Sequence, residues 1–327
     1  MQKSGIINKS AKKTEPESSY ADLEAVILND PYVVPYNGVY VVCDEKNEKA
    51  ELIEQSDCFA STCWSYYHYS KSPIITGSRI LGQSVRYKID VGQKELILKS
   101  STSAAGISSL LVDSERNEVE ITFSGLGGGG IGATKCRALG KGVLRYEISE
   151  SGGEKAASGK IYVPRRNRVL IAIDDTDSCE VGATWTLTHN IAQKVSCNDS
   201  VILSQSLVQL YPVPERTQNC MSTVLEFGCV SDAAKEELVY KIKAFLQKYS
   251  VSKNTGMVVF TGFDVTEKLK EFSIKAGTMR LTKEDAINAA IENNVEIILD
   301  GNGIIGAMGA IAGFAKPEET VVPKFEF

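Results

Sequence analysis

No two cysteines stand in a C-x-x-C spacing anywhere in this chain, although 8 are present among its 327 residues. That excludes a zinc ribbon and a dense disulfide framework, and leaves reduced thiols that pack as small hydrophobes. An apolar stretch of membrane-spanning length is missing as well. The longest, Ile304 to Ala315, is interrupted by Gly306, Gly309 and Gly313 and falls short of the ~20 residues that a bilayer demands. The opening segment MQKSGIINKSAKKTEPESSY lacks the continuous apolar core of a secretory signal. A soluble, cytoplasmic protein with a disordered terminus over residues 1–24 is therefore expected. There is no polybasic tail, and 36 Lys and Arg face 41 Asp and Glu for a formal charge of −5. Binding of nucleic acid by broad electrostatics is disfavoured, while a local basic groove remains compatible with that average.

What is present is ordinary globular composition, 43% hydrophobic and 24% charged, in a chain long enough for two cores. Up to about residue 165 the runs are strand-like. YVVPYNGVYVVC (32–43) centres on Asn37-Gly38, the signal of a tight hairpin, and further strands are expected at 84–91, 95–98, 118–123 and 143–148. SESGGEKAASGK (149–160) reads as a hairpin tip or a linker. A boundary is placed at Pro164-Arg165-Arg166-Asn167-Arg168. Beyond it the pattern becomes mixed α/β. Val169 to Ile173 has the length of a strand buried on both faces, and 184–195 places Leu187, Ile191 and Val195 on one helical face. Strands are expected at 202–210, 222–227, 256–260 and 295–299, with helices at 232–249, 283–293 and 303–314. The expected organisation is a strand-rich domain over 25–165, an α/β domain over 166–316 and a tail over 317–327.

Within the second half, the strand VLIAI runs directly into Asp174, Asp175 and Asp177, with Ser178 and Gly182 following. Carboxylates this close repel one another unless a cation or hydrogen-bond donors compensate. Mg²⁺ suits one or two carboxylates together with phosphate oxygens and water, and the backbone amides at the start of the next helix can face an anion. The alternative is a solvated turn capped by Asp177 or Ser178.

IDDTDSCEVGATWTLTHNIA (173–192) resembles the entry motif of archaeal isoleucine-tRNA agmatinylcytidine synthetase. The likeness continues through PERTQN (214–219), NTGMVVF (254–260) and the stretch from Met279 to Ala310 with its Gly301-Asn302-Gly303…Gly306 segment, so that it covers about 168–315. It implies an ATP-binding α/β domain with a ferredoxin-like part, Mg²⁺ and triphosphate held by Asp174, Asp175 and Asp177, and a helix-opening threonine beside the phosphates. Thr184 is preferred to Thr186 for that threonine. Arg216 stands where the synthetase has lysine, and Ser178, Gly182, Thr217, Asn219, Asn254, Gly256, Gly301, Asn302, Gly303 and Gly306 border the nucleotide. Thr255 replaces a proline, and the glycine before Asn219 is absent. The front half has no counterpart in the synthetase, so the whole chain is identified as a member of the methanogenesis marker protein 11 family of methane-producing archaea. That resemblance implies an ATP-dependent phosphotransferase or ligase-like enzyme acting on an unknown acceptor, a protein or cofactor of methanogenesis such as methyl-coenzyme M reductase. The synthetase's oligonucleotide-binding fold and zinc ribbon are missing, which argues against tRNA as the partner. A non-catalytic ATP-binding assembly protein and an RNA-modifying enzyme are the competing readings.

The front half carries its own glycine loop, Gly127, Gly128, Gly129 and Gly130, with Lys135 and Arg137 just after it. Successive amides and two cations make it a candidate loop for phosphate or substrate, or else a hairpin end. It is not a P-loop, because the Lys-Ser/Thr ending is missing. Cys58, Cys63 and His68 match no zinc spacing and read as aromatic packing with Trp64 and the tyrosines around it. His189 is either a packing histidine or a polar neighbour of the aspartates.

Overall fold

The computed structural model describes residue 30, residues 32–150 and residues 155–325; the expectation for residues 1–24 lies outside them. The elements run β1 (Gly38–Cys43), β2 (Lys49–Gln55), α1 (Phe59–Tyr69), β3 (Ile75–Leu81), β4 (Ser84–Asp90), β5 (Gly92–Gln93), β6 (Ala105–Asp113), β7 (Glu118–Leu126), α2 (Gly129–Ala138) and β8 (Arg145–Ile148). They continue with β9 (Ala156–Asp174), α3 (Thr184–Val195), β10 (Ser200–Gln209), β11 (Met221–Cys229), α4 (Asp232–Tyr249), β12 (Gly256–Thr261), α5 (Glu267–Thr278), α6 (Lys283–Glu292), β13 (Glu296–Asp300), α7 (Ile304–Ala310), a 3-10 turn (Ile311–Ala315) and α8 (Pro317–Thr320). This is a mixed α/β fold. Among the described residues, no helix is long and apolar enough to cross a membrane.

β9, 19 residues long, is common to both halves. Its first part pairs antiparallel with β7 on one edge and β8 on the other, and Arg165 and Arg166 pair in parallel with β1. Its last part lies between β11 and β12, antiparallel to both. The residues expected to form a boundary, 164–168, are thus continuous strand. Of residues 149–160, those described flank the β8–β9 connection, where Ser149 N donates to Ser158 O at 2.9 Å.

In the second half β9–α3–β10–β11–α4–β12 is a split βαβ arrangement with strand order β10-β11-β9-β12, a ferredoxin-like unit to which β13 adds an edge. The strand alternation explains why both faces are covered. Val169, Ile171 and Ile173 point to the α3/α4 layer, whereas Leu170 and Ala172 point to α5, α7 and the 3-10 turn. In the first half, Val39, Val41, Leu52, Tyr87, Ile121 and Phe123 form one core, while Tyr40, Val42 and Ile53 on the opposite face meet Leu203 of β10.

Several expectations are corrected. Residues 32–37 are not strand, and β1 turns into β2 through Asp44–Glu48, where Asp44 Oδ1 accepts from the amides of Glu48 and Lys49 at 2.8 Å and Asn47 takes φ 57°. Residues 94–98 are irregular. The glycine run is neither a free loop nor a hairpin end; Gly129 and Gly130 open α2. A Cβ at Gly130 would lie 2.1 Å from Ala157 O, and one at Gly125 2.7 Å from Gly130 N, so these glycines let α2 press against β7 and β9. The cations that follow are already engaged. Lys135 pairs with Asp30 at 2.6 Å, and Arg137, 1% exposed, forks onto buried Glu54 at 2.5 and 2.7 Å beneath the Tyr36 and Phe123 rings. Gly130, Lys135 and Arg137 are therefore taken up by packing and pairing, while Gly127 turns the chain at φ 59° and Gly128 has nothing within 4 Å of an added Cβ. His68 stacks on Trp64 with ring centroids 4.2 Å apart, and among the described residues no cluster of three His, Cys, Asp or Glu is placed to hold a metal.

A second buried ionic cluster joins the halves. Glu226 of β11 accepts from Arg86 of β4 at 3.1 and 2.7 Å, from Arg168 Nε of β9 at 2.8 Å and from Ser204 Oγ at 2.6 Å. Arg168 also donates to Glu51 of β2 and to the Phe263 carbonyl. All four charged groups are at most 4% exposed. Burial opposes ionisation of Glu226, yet the two guanidiniums hold its carboxyl far below the usual range.

Candidate functional site

β9 delivers Asp174 to the carboxyl end of the sheet between β11 and β12, and the chain leaves the strand by an abrupt reversal. Asp175 adopts φ 53°, a left-handed conformation that an Asp side chain tolerates better than most. Thr255 Oγ1 donates to the Asp175 carbonyl at 3.0 Å and fixes that reversal. Gly182, at φ 92°, makes the second turn and lets α3 begin at Thr184. Thr184 folds back into the loop: its Oγ1 accepts from Thr176 N at 3.1 Å and lies 3.5 Å from Asp177 Oδ1. Thr186 instead bonds Ala183 O.

A cavity of about 400 Å³ opens beside Asp174 and Asp175. It takes Arg216, Thr217 and Asn219 from the β10–β11 connection, and Asn302 and Gly306 from around the start of α7. It also takes residues that the sequence reading passed over: Leu210, Tyr211, Met279, Arg280, Leu281 and Lys283. Arg280 pairs with Glu215 at 2.5 Å and Lys283 donates to Asp300 O. Arg216 meets only the Val213 carbonyl at 3.3 Å, and among the described residues it has no carboxylate partner. The lining thus combines apolar side chains, the cations Arg216, Arg280 and Lys283, and the carboxylates Asp174, Asp175 and Glu215. The available signal was the Arg280-Leu281-Thr282-Lys283 run, two cations around the Thr282 cap of α6.

Other expected residues sit elsewhere. Ser178 accepts from the amides of Glu180 and Val181 and shapes the exposed turn. Asn254, Gly256, Gly301 and Gly303 are absent from the cavity wall. A Cβ at Gly301 would lie 2.2 Å from Asn254 O, and one at Gly256 2.1 Å from Ile304 N, so they allow the loop before α7 to lie directly on the strand ends. Gly306 has the tightest constraint. A Cβ there would be 1.7 Å from Asp174 Oδ2. His189 is exposed, 2.9 Å from Gln205 Oε1, and lines a different hollow.

The three aspartates do not form one set. Asp177 Oδ1 accepts from Thr217 Oγ1 at 2.8 Å, which anchors the cavity rim and leaves Asp174 and Asp175 as the pair facing the cavity. Among the described residues, neither makes an ion pair. Burial and the Asp175 and Asp177 charges push the Asp174 carboxyl well above its ordinary value, and burial with the Asp177 charge raises Asp175 to about 6. Two oxygen-rich, under-compensated carboxylates beside a cavity fit a hard divalent cation with phosphate ligands; of the three carboxylates expected, Asp177 is the one that accepts from Thr217.

The sign of the pH dependence follows. Because Asp175 titrates higher folded than unfolded, the folded protein binds the extra proton, and its contribution is present below the ordinary carboxylate pKa and lost as pH rises through about 6. His68, whose pKa burial and Lys71 lower, acts in the opposite direction, so the readout is a comparison of variants. Metal-free wild type is expected to lose more melting temperature between pH 5 and 7.5 than Asp175→Asn. Equal pH slopes in thermal melts would sink the assignment.

Comparison with known proteins places this geometry among relatives. The TiaS TCKD domain family matches residues 170–298. The uncharacterized protein MJ0921 of Methanocaldococcus jannaschii is 35% identical over 297 residues, 89% of this chain and 97% of that one. The tRNA 2-agmatinylcytidine synthetase TiaS of Thermococcus sibiricus is 34% identical over 154 residues, 44% of this chain and 35% of the synthetase. Its Pyrococcus horikoshii counterpart is 30% identical over 147 residues, 43% and 34% of the two chains. The chain therefore spans about a third of the length of these synthetases. The crystal structure of TiaS in complex with tRNA and ATP is similar at 22% identity and a TM-score of 0.39, covering 45% of this chain and 36% of that one. The family and synthetase matches overturn the expectation that tRNA is an unlikely partner. The family matching 170–298 is a domain of an enzyme named for a tRNA, so missing zinc-ribbon and oligonucleotide-binding modules do not rule that partner out.

Proposed function

We propose, for a chain that belongs to the family of the uncharacterized protein MJ0921 of Methanocaldococcus jannaschii, that its second half binds magnesium-bound ATP and activates an oxygen atom of an RNA acceptor by phosphoryl or nucleotidyl transfer. The observation that carries this reading is the half-buried Asp174–Asp175 pair, without cationic partners among the described residues, beside a cavity lined by both cationic and apolar residues. Leu210, Tyr211, Met279 and Leu281 offer the apolar wall that a base requires. Arg216 offers a guanidinium without a competing carboxylate to the negative charge of the phosphates. Asp174 and Asp175 would hold the divalent cation, which when bound neutralises phosphate charge and orients the leaving group. Thr217, through Asp177, and Thr255, through the Asp175 carbonyl, keep the carboxylate loop in place. The acceptor oxygen attacks the γ- or α-phosphorus, and ADP or pyrophosphate leaves.

RNA as acceptor class is supported by the match of 170–298 to a domain of a tRNA-modifying synthetase. The finer assignment to the methanogenesis marker protein 11 family belongs to the same proposal; it is supported by a Methanocaldococcus relative matched over 89% of this chain, against 44% for the synthetase.

The test is incubation with unfractionated archaeal tRNA and ATP labelled at the α- or γ-phosphate. RNA-dependent release of ADP or pyrophosphate is expected, reduced about 100-fold or more in Asp175→Asn, since asparagine tolerates the left-handed backbone there. Turnover indifferent to RNA would remove the acceptor class, and absence of nucleotide binding would remove the whole reading.

A further inference from the structure

A second cavity, of about 530 Å³, lies between the two halves on the α5 side of the molecule. β3 and β4 bound it from the first half; β10, α5 and the residues after α7 bound it from the second. It adjoins the nucleotide cavity along α5 and the end of β10. Ser273 lines one and Ala276, three residues along the same helix, the other; Gln209, the last residue of β10, and Leu210 just beyond it divide likewise.

Its charge is out of balance in a specific place. Lys88 is paired with Asp264 at 3.0 Å, Lys316 with Glu319 at 2.8 Å and Arg168 with Glu226 at 2.8 Å. Arg79 is half-buried and, among the described residues, has neither an ion pair nor a side-chain hydrogen bond. It stands directly opposite Arg86 in the β3–β4 register. Like charges facing each other across a strand pair destabilise it, and both carboxylates near Arg86 are already bonded by Arg86 and Arg168. Burial and the Arg86 charge lower the Arg79 pKa, a cost only partly offset by Glu51, Glu226 and Glu318. Among the described residues, the buried Ser273 Oγ at the same cavity has no hydrogen-bond partner and exposed Lys324 has no carboxylate partner. Arg79 and Lys324 thus line, without ion-pair partners among the described residues, a hollow adjacent to the proposed nucleotide site, with the Ser273 hydroxyl just beneath its wall.

We propose that this cleft is a second anion site, which holds a backbone phosphate of the polynucleotide acceptor through Arg79, assisted by Lys324 and Ser273. It rests on the reading of RNA as acceptor and names the surface that carries it from the reaction centre onto the first half. A strand spanning both cavities would place one phosphate at Arg79 while its reacting oxygen lies at the Asp174 end.

The experiment is tRNA binding by the full chain, wild type and Arg79→Gln, over a salt series, with Mg-ATP binding measured alongside. Removing one phosphate contact is expected to weaken tRNA binding about 5- to 10-fold, to lower the log–log salt slope by about 1 and to leave Mg-ATP affinity unchanged. Melting temperature should hold or rise, because a poorly compensated charge is lost. Lys324→Gln is expected to give a smaller effect of the same kind. Equal tRNA affinity and salt slope in wild type and Arg79→Gln overturn the site. If the wild type binds no tRNA, the acceptor reading is lost and inorganic phosphate decides the site alone. Phosphate-dependent stabilisation in wild type that vanishes in Arg79→Gln retains it, and equal stabilisation rejects it.

Discussion

Gly306→Ala is expected to abolish measurable ATP binding while the protein remains folded. The added methyl would lie 1.7 Å from Asp174 Oδ2, 2.8 Å from its Cγ and 2.9 Å from Leu210 Cδ1. Retreat of α7 would break the bond that Gly303 N donates to Asn254 O at 2.8 Å and open the close contacts of Gly256 with Ile304 and of Gly303 with the Asp174 carbonyl. The carboxylate must therefore rotate out of its place at the helix, removing one of the two proposed cation ligands and filling part of the cavity. Overpacking of this kind costs about 1–3 kcal/mol, tolerable for a domain stabilised by about 5–15 kcal/mol. Titration calorimetry with Mg-ATP checks the binding and a thermal melt the fold. Gly132→Ala is the matched control. It lies in α2 with nothing within 4 Å of the added Cβ, and should be neutral or stabilising by up to about 1 kcal/mol. Gly306→Ala binding Mg-ATP as wild type does would refute the role of Asp174.

Glu226→Ala is expected to be the most damaging single change to stability. It strips the shared acceptor from Arg86 and Arg168, leaving two guanidiniums almost wholly buried with only Glu51, the Phe263 carbonyl and each other for company. Breaking a buried pair by removing one partner costs about 3–5 kcal/mol, and two cations lose their partner here. Because the cluster ties β2 and β4 to β9 and β11, the loss should appear as a lower urea midpoint by probes in either half. Combined Glu51→Leu, Arg86→Met, Glu226→Leu and Arg168→Met, which removes all four charges, should recover much of it, since well-packed apolar groups often replace buried ions at little cost. A midpoint shift equivalent to less than about 1 kcal/mol for Glu226→Ala would contradict this account.

The second half was the more legible because its segments follow one period at a time. VLIAI reads as a strand covered on both faces, and 232–249 as an amphipathic helix with Ser231 at its cap, accepting from Ala234 N at 3.2 Å. The aspartates were visible as local charge at a strand end. Their roles were not, because Thr217, which draws Asp177 aside, comes from a distant connection. Arg280 and Lys283 reach the cavity only through the packing of α5 and α6. In the first half local propensity misled. FASTCWSYYHY contains β-favouring aromatics but forms α1, where Thr62, Ser65, His68 and Tyr69 are buried on one side. Asn37-Gly38 has the residues of a tight turn, yet the Asp44 carboxylate builds the turn instead. The RRNR run resembled a domain boundary because an isolated sequence does not show that Arg166 and Arg168 have buried partners waiting for them.

β9 has a consequence for how this chain can change over generations. Alternate side chains along it face opposite layers, so inserting or deleting one residue between Arg166 and Val169 would turn every subsequent side chain to the wrong face. Arg168 would leave its carboxylates in the same event that moved Asp174 away from Gly306. Point substitutions can accumulate on either side of that segment, but its length is inherited as a unit, and a crossover within it must preserve the count to the residue.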